Sequence, residues 1–182
     1  MDRPVFYNEE TKMFLMRWNP EISDFTPEEM KKLTDKFNMS NGGYLQWRWA
    51  IKDWREASDY DLFVMLREGS DEKAGIIMVG TLNGDPYRGK DWRGTGEPMH
   101  YVDMISSEIS SPDEPPLIAL ADLEQRIKDI DWHHGHCGVL LTEDQTSILL
   151  EILREKHCLD WMDIDYEDDD DEDYLDFEDE LT

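Results

Sequence analysis

The sequence predicts an α+β fold: a curled, mainly antiparallel sheet with helices packed at its ends, followed by an acidic tail. Three observations carry that expectation. The apolar stretches 13–18, 60–67, 74–82 and 99–107 have the length and residue types of strands, and short connections join the last three, as suits antiparallel neighbours. The segments 26–37 and 142–157 carry apolar residues at helical spacing behind good N-caps. Residues 163–182 hold 13 of the 44 acidic residues and no Lys or Arg. Such a run cannot bury enough apolar area to fold, so the expected organisation is one domain over 1–162 and a disordered, low-complexity acidic tail over 163–182.

The elements follow in order. MFLMRWNP (13–20) reads as a strand ending at Pro20. Thr26 is a good N-cap, Pro27 suits the first helical position, and Glu28 and Glu29 suit the first turn. Phe25, Met30, Leu33 and Phe37 then make one apolar stripe, and NMSNGG (38–43) ends the helix. YLQWRWA (44–50) alternates aromatic and polar residues, as a strand or extended lip does, and 51–57 reads as a short helical turn. The strands at 59–69 and 74–84 form a hairpin across GSDEK. The second of them leaves through a glycine-rich loop that holds Tyr87 and Trp92, and a third strand returns at 99–109. Leu120, Leu123, Ile127 and Ile130 give the helix 120–130 one apolar face, and Thr142 with Gln145 forms a capping box.

Charge excludes one class of function. The net charge is −26, and the chain without residues 163–182 still carries −13, so it lacks the basic stripe that grips a phosphate backbone without sequence preference. Two cysteines, Cys137 and Cys158, make no disulfide framework. The N-terminal residues show no signal-peptide pattern and no apolar run approaches a membrane span, so a cytoplasmic protein without a membrane partner is expected. No G-x-S-x-G, P-loop or H-E-x-x-H motif occurs, so neither catalysis nor a cofactor is expected.

The series Arg17-Trp18-Asn19-Pro20, Trp47-Arg48-Trp49, Trp54, Asp61-Leu62-Phe63-Val64-Met65, Gly75-Ile76, Gly80, Pro86-Tyr87, Asp91-Trp92 and Tyr101-Val102-Asp103 resembles the PUA-like superfamily, in its EVE and ASCH-like branch. A related domain precedes HNH nuclease domains in some bacterial proteins. The resemblance covers roughly 13–105 and rests on the order and spacing of short motifs. It implies a PUA-like pseudobarrel with a pocket that takes up a nucleobase, often a modified one. It implies that Asn19, Pro20, Trp47, Trp49 and Trp54 form the pocket wall. The chain departs from the pattern where Tyr60, in place of the usual glycine, precedes Asp61.

The residues themselves add candidates. Trp47 and Trp49 lie two apart, so on a strand they share a face while Arg48 points away. They either clamp a flat ligand, at roughly 1–3 kcal/mol per stacked base, or fill the core for their area. Tyr87 and Trp92 follow a strand end, as a pocket rim does. Two positive islands stand on the acidic chain, each with a local charge of +2: Arg48, Lys52 and Arg55 against Asp53, and Arg88, Lys90 and Arg93 against Asp91. Arg48, Lys52, Arg88 and Arg93 are the expected phosphate contacts. DWHHGHC (131–137) gathers His133, His134, His136 and Cys137, but the spacing matches no zinc pattern, so no metal is expected. His134 is taken as a hydrogen-bond donor to a base edge, with His136 as its alternative. The expected function is a non-enzymatic module that holds a nucleobase or similar planar heterocycle, a modified base in nucleic acid included, in an aromatic pocket, with a nucleotide or a single-stranded or flipped nucleic acid as partner. The alternative is an acidic interaction or inhibitor protein whose tail binds a basic partner.

Overall fold

Two-sided burial organises the molecule. The computed structural model describes residues 11–39, 45–91 and 93–162. The acidic tail and Trp92 lie outside the described residues. The strands are β1 (Met13–Trp18), β2 (Leu45–Ala50), β3 (Leu62–Arg67), β4 (Gly75–Leu82), β5 (Tyr87–Lys90), β6 (Pro98–Ile109), β7 (Ile118–Ala119) and β8 (Val139–Leu140). They form one eight-stranded sheet in the order β2-β6-β4-β3-β1-β8, with β5 on β6 and β7 on β4. The helices are α1 (Pro27–Met39), α2 (Leu120–Arg126) and α3 (Glu143–Glu155). The fold is therefore α+β. No helix among the described residues is long and apolar enough to cross a membrane.

The sequence already shows why β1, β3 and β4 sit centrally. MFLM, LFVML and GIIMV are unbroken apolar runs, which suit strands covered on both faces. Leu15, Val64, Val79, Leu123, Leu149 and Ile152 form a core between one face and helices α2 and α3. Phe14, Met16, Phe63, Met65, Met104 and Met30 form a second core on the other face, where α1 packs. The helices α2 and α3 thus cover a face of the sheet; they do not sit at its ends as expected. Reciprocal caps start two of the helices. Thr142 and Gln145 form the capping box of α3, and Thr26 and Glu29 exchange the same pair of bonds at α1. The helix expected over 120–130 ends at Arg126, because Ile127 turns to an extended backbone and its carbonyl accepts the indole N–H of buried Trp132.

The sheet is mixed. β1 runs parallel to β3, and the chain returns to lie beside itself only after passing through α1 and β2. The curl has a local cause at Gly80. The register between β4 and β6 shifts between Val79 and Gly80, and a Cβ at Gly80 would lie 1.9 Å from the carbonyl oxygen of Ile105. The result is a half-barrel. Its open side, between β2 and β1, is bridged at one end by residues 137–140. Lys52 N–H donates to the carbonyl of Cys137, Asp53 N–H to that of Gly138, and Gly138 N–H to that of Leu15. Gly138 has φ +77, and a Cβ there would stand 2.5 Å from Ile51 Cα, so this seam needs glycine.

Candidate functional site

A cavity of about 780 Å³ opens beside this seam, where β1 and β2 end and β6 begins. Trp49, Trp54, Met99, His100 and Tyr101 supply apolar and aromatic wall. Arg17, Glu68 and Cys137 lie at its buried floor, and exposed Arg48, Lys52, Arg93 and His136 stand at its rim. Asn19, Phe25 and the exposed acids Asp24 and Glu29 complete the side next to α1. The shape and lining suit a small ligand with a flat apolar body and anionic groups.

Of the candidates read from sequence, Asn19, Arg48, Trp49, Lys52, Trp54 and Arg93 line this cavity. Pro20, Trp47, Tyr87, Arg88 and His134 do not. Trp47 shares a face with Trp49, as the strand period demands, but it packs on Phe25 at 6.2 Å between ring centroids and donates its indole N–H to Ser106 Oγ. Tyr87 donates its hydroxyl to Asp103 Oδ1 on the neighbouring strand. Arg88 sits opposite His100 in the β5–β6 ladder. His134 is 87 % exposed beside Asp131, whose carboxylate accepts the N–H groups of His133 and His134. That turn carries His136, the alternative, to the cavity instead.

The tryptophans that do line the cavity are already engaged. Trp49 lies 5.2 Å from Trp47 and 5.7 Å from Phe25, and its N–H donates to the carbonyl of Arg17 across the open side of the barrel. Trp54 stacks on His100 at 3.8 Å with 8° between planes, and the Arg55 guanidinium sits 4.5 Å from its centroid. Both rings join wall to core. A ligand would meet their remaining surface together with Met99, since Tyr101 is buried.

The cations are arranged by three different means. The Arg48 guanidinium lies 4.8 Å over the Tyr101 ring. Arg93 is held by Asp91, whose buried carboxylate accepts from its backbone N–H, Nε and Nη2, and from the hydroxyl of Thr95. The Arg93 guanidinium, with Thr95, keeps the Asp91 carboxyl well below the usual carboxylate range. Lys52 has no ion-pair partner among the described residues. On the floor, Arg17 Nη1 donates to Glu68 Oε1 at 3.2 Å, Nη2 donates to the carbonyl of Asp131, and the two side chains are 8 % and 14 % exposed.

Cys137 is a seam residue. Its sulfur accepts the N–H of Arg17 and donates to the carbonyl of Ala50, each at 3.3 Å. Burial pushes its thiol up to about 12, so the thiolate is scarce at neutral pH. Among the described residues no group of three or more His, Cys, Asp or Glu could hold a metal ion. Sequence reasoning named neither Arg17 nor Glu68 as site residues. Their signal was present: a charged residue inside an unbroken apolar strand, and another directly after one.

Comparison of the chain with protein-family models, with curated proteins and with solved structures finds no match.

Proposed function

We propose that this protein is a PUA-like binding module that holds a nucleobase or nucleotide in the cavity, with the flat ring against Trp49, Trp54 and Met99 and the phosphate toward Arg48, Lys52 and Arg93. The observation that carries the reading is that concentration of cations. A chain of net charge −26 sets Arg48, Lys52 and Arg93, all exposed, around one aromatic-lined cavity, with exposed Asp24 and Glu29 on its α1 side. Few phosphate contacts are needed for a single nucleotide, so an acidic surface elsewhere is no obstacle. The backbone also favours the resemblance. Tyr60 stands where the family pattern has a glycine, and it adopts φ 69, a conformation natural to glycine. Cys137, the nucleophile on the cavity floor, is held protonated, which favours binding over covalent chemistry.

The test is calorimetric titration of the full chain with purine and pyrimidine mononucleotides. Saturable, salt-sensitive binding is expected. Lys52→Ala should weaken it about fivefold, the equivalent of about 1 kcal/mol, while leaving the melting temperature in place. Absence of binding by any mononucleotide at millimolar concentration would sink the proposal.

A further inference from the structure

The floor of the cavity holds a partly buried ion pair that core packing does not require. Arg17 and Glu68 are the last charged groups before the sealed core, and a buried pair is at best a weak contributor to stability. Both ends are fixed by main chain. Glu68 N–H donates to the carbonyl of Trp18 at 2.8 Å, which ties it to the end of β1. Arg17 is held by Asp131 and lies so close to Gly135 that a Cβ there would come within 2.8 Å of Nη2. The ion pair uses Oε1 of Glu68, and Oε2 has no hydrogen-bond partner among the described residues. A rigid acceptor and a rigid donor therefore stand side by side at the bottom of an aromatic cavity.

Resting on the nucleotide reading above, we propose that Glu68 and Arg17 form a base-edge subsite that favours guanine. A carboxylate accepts hydrogen bonds and cannot donate them. Guanine offers it two donors, N1–H and the 2-amino group, and offers the adjacent guanidinium an acceptor, O6. Hypoxanthine keeps N1–H and O6 but lacks the 2-amino donor. Adenine and cytosine present an amino donor beside a ring-nitrogen acceptor, and uracil an N–H beside a carbonyl, so each can make one bond to the carboxylate and one to the guanidinium but lacks guanine's second bond to the carboxylate.

Calorimetry of the full chain with GMP, IMP, AMP and UMP tests this. GMP should bind about tenfold or more tightly than AMP, with IMP close to AMP because it lacks the 2-amino donor. Glu68→Gln should bring the ratio of GMP to AMP affinity close to one, because the amide can donate as well as accept. Gly135→Ala supplies an arm that leaves both charges in the protein: the methyl displaces the guanidinium, and the same ratio should fall. Equal affinity for GMP and AMP in the unaltered protein, or tighter AMP, overturns the subsite and leaves the nucleotide cavity standing. No binding by any of the four overturns both.

Discussion

The two faces of the sheet are built from different materials. Under α2 and α3 the core is mostly aliphatic, with Leu15, Val64, Ile76, Leu149, Ile152 and Leu153 all nearly free of solvent. Inside the half-barrel the core is Met, Phe and Trp: Met16, Met65, Met78, Phe14, Phe63 and Trp18. Aliphatic side chains carry no polar atom and can be sealed completely. Each indole carries an N–H that needs a partner when buried. On the inner face Trp18 donates to the carbonyl of Phe25, Trp49 to that of Arg17 and Trp47 to Ser106 Oγ. These bonds tie the segment before α1 to β1, and β2 to β1 and β6. A site can then be built where the barrel stays open, while the outer face supplies stability without facing the cavity.

Substitutions on the two faces should separate those roles. The largest effect is expected at Leu149, fully buried against α2 and the sheet. Leu149→Ala should cost about 3 kcal/mol in urea unfolding and leave the nucleotide dissociation constant unchanged. A cost under about 1 kcal/mol would mean that α3 is not sealed against the sheet. Trp49→Ala comes next. The ring is half-buried, so the loss should be about 2 kcal/mol, below that of a fully buried tryptophan. Part of it comes from the carbonyl of Arg17 losing its donor. Unlike Leu149→Ala, this change should also weaken nucleotide binding. Weakened binding with unchanged stability would make Trp49 a rim residue, and lost stability with unchanged binding would make it purely core.

The same contrast explains what the sequence made legible. Unbroken apolar runs and N-cap signals located β1, β3, β4, α1 and α3, because burial and capping are local in sequence. The parallel pairing of β1 with β3 was not legible, since it depends on where the chain returns after α1 and β2. The two-residue strands β7 and β8 have no pattern long enough to read. At the site, the exposed cations Arg48, Lys52 and Arg93 stood out as basic islands on an acidic chain. Arg17 and Glu68 were hidden among apolar neighbours, and His136 could not be told from His134 without the turn set by Asp131.

Acid should act on the rim before it acts on the sealed face. The Asp91 carboxyl titrates below its ordinary value, because Arg93 and Thr95 bind its charged form. Its contribution to stability is therefore complete above the unfolded aspartate value, about 3.9, and is lost as pH falls through the lower folded value. Asp61 and Glu108 are shifted upward by burial, so protonating them favours the fold as pH falls through their raised values. The two trends oppose each other. Unfolding measured between pH 2 and pH 6 should show a shallower acid loss in Asp91→Asn than in the unaltered protein. An identical slope would show that Asp91 holds Arg93 without linkage to folding.

The smallest effect is expected at Tyr60, whose side chain belongs to neither core. Its ring is 79 % exposed and its backbone has φ 69. Tyr60 N–H donates to the carbonyl of Leu82 and Asp61 N–H to that of Ser58, while Leu82 N–H donates to the Asp61 carbonyl and Ser58 N–H to Asp61 Oδ2. A left-handed backbone costs a non-glycine residue about 1–2 kcal/mol. Glycine removes that strain but adds freedom to the unfolded chain, worth about 0.5–1 kcal/mol in the other direction. Tyr60→Gly should therefore stabilise the protein by no more than about 1 kcal/mol. Tyr60→Val keeps the strain and adds β-branching, so it should destabilise. If Tyr60→Gly is instead clearly destabilising, the exposed ring has a contact that holds the turn, and the match between this backbone and the family's glycine is coincidental. If the order is glycine, tyrosine, valine, the turn is a glycine turn that carries a tyrosine, and the resemblance of this segment to the PUA-like pattern gains a physical basis.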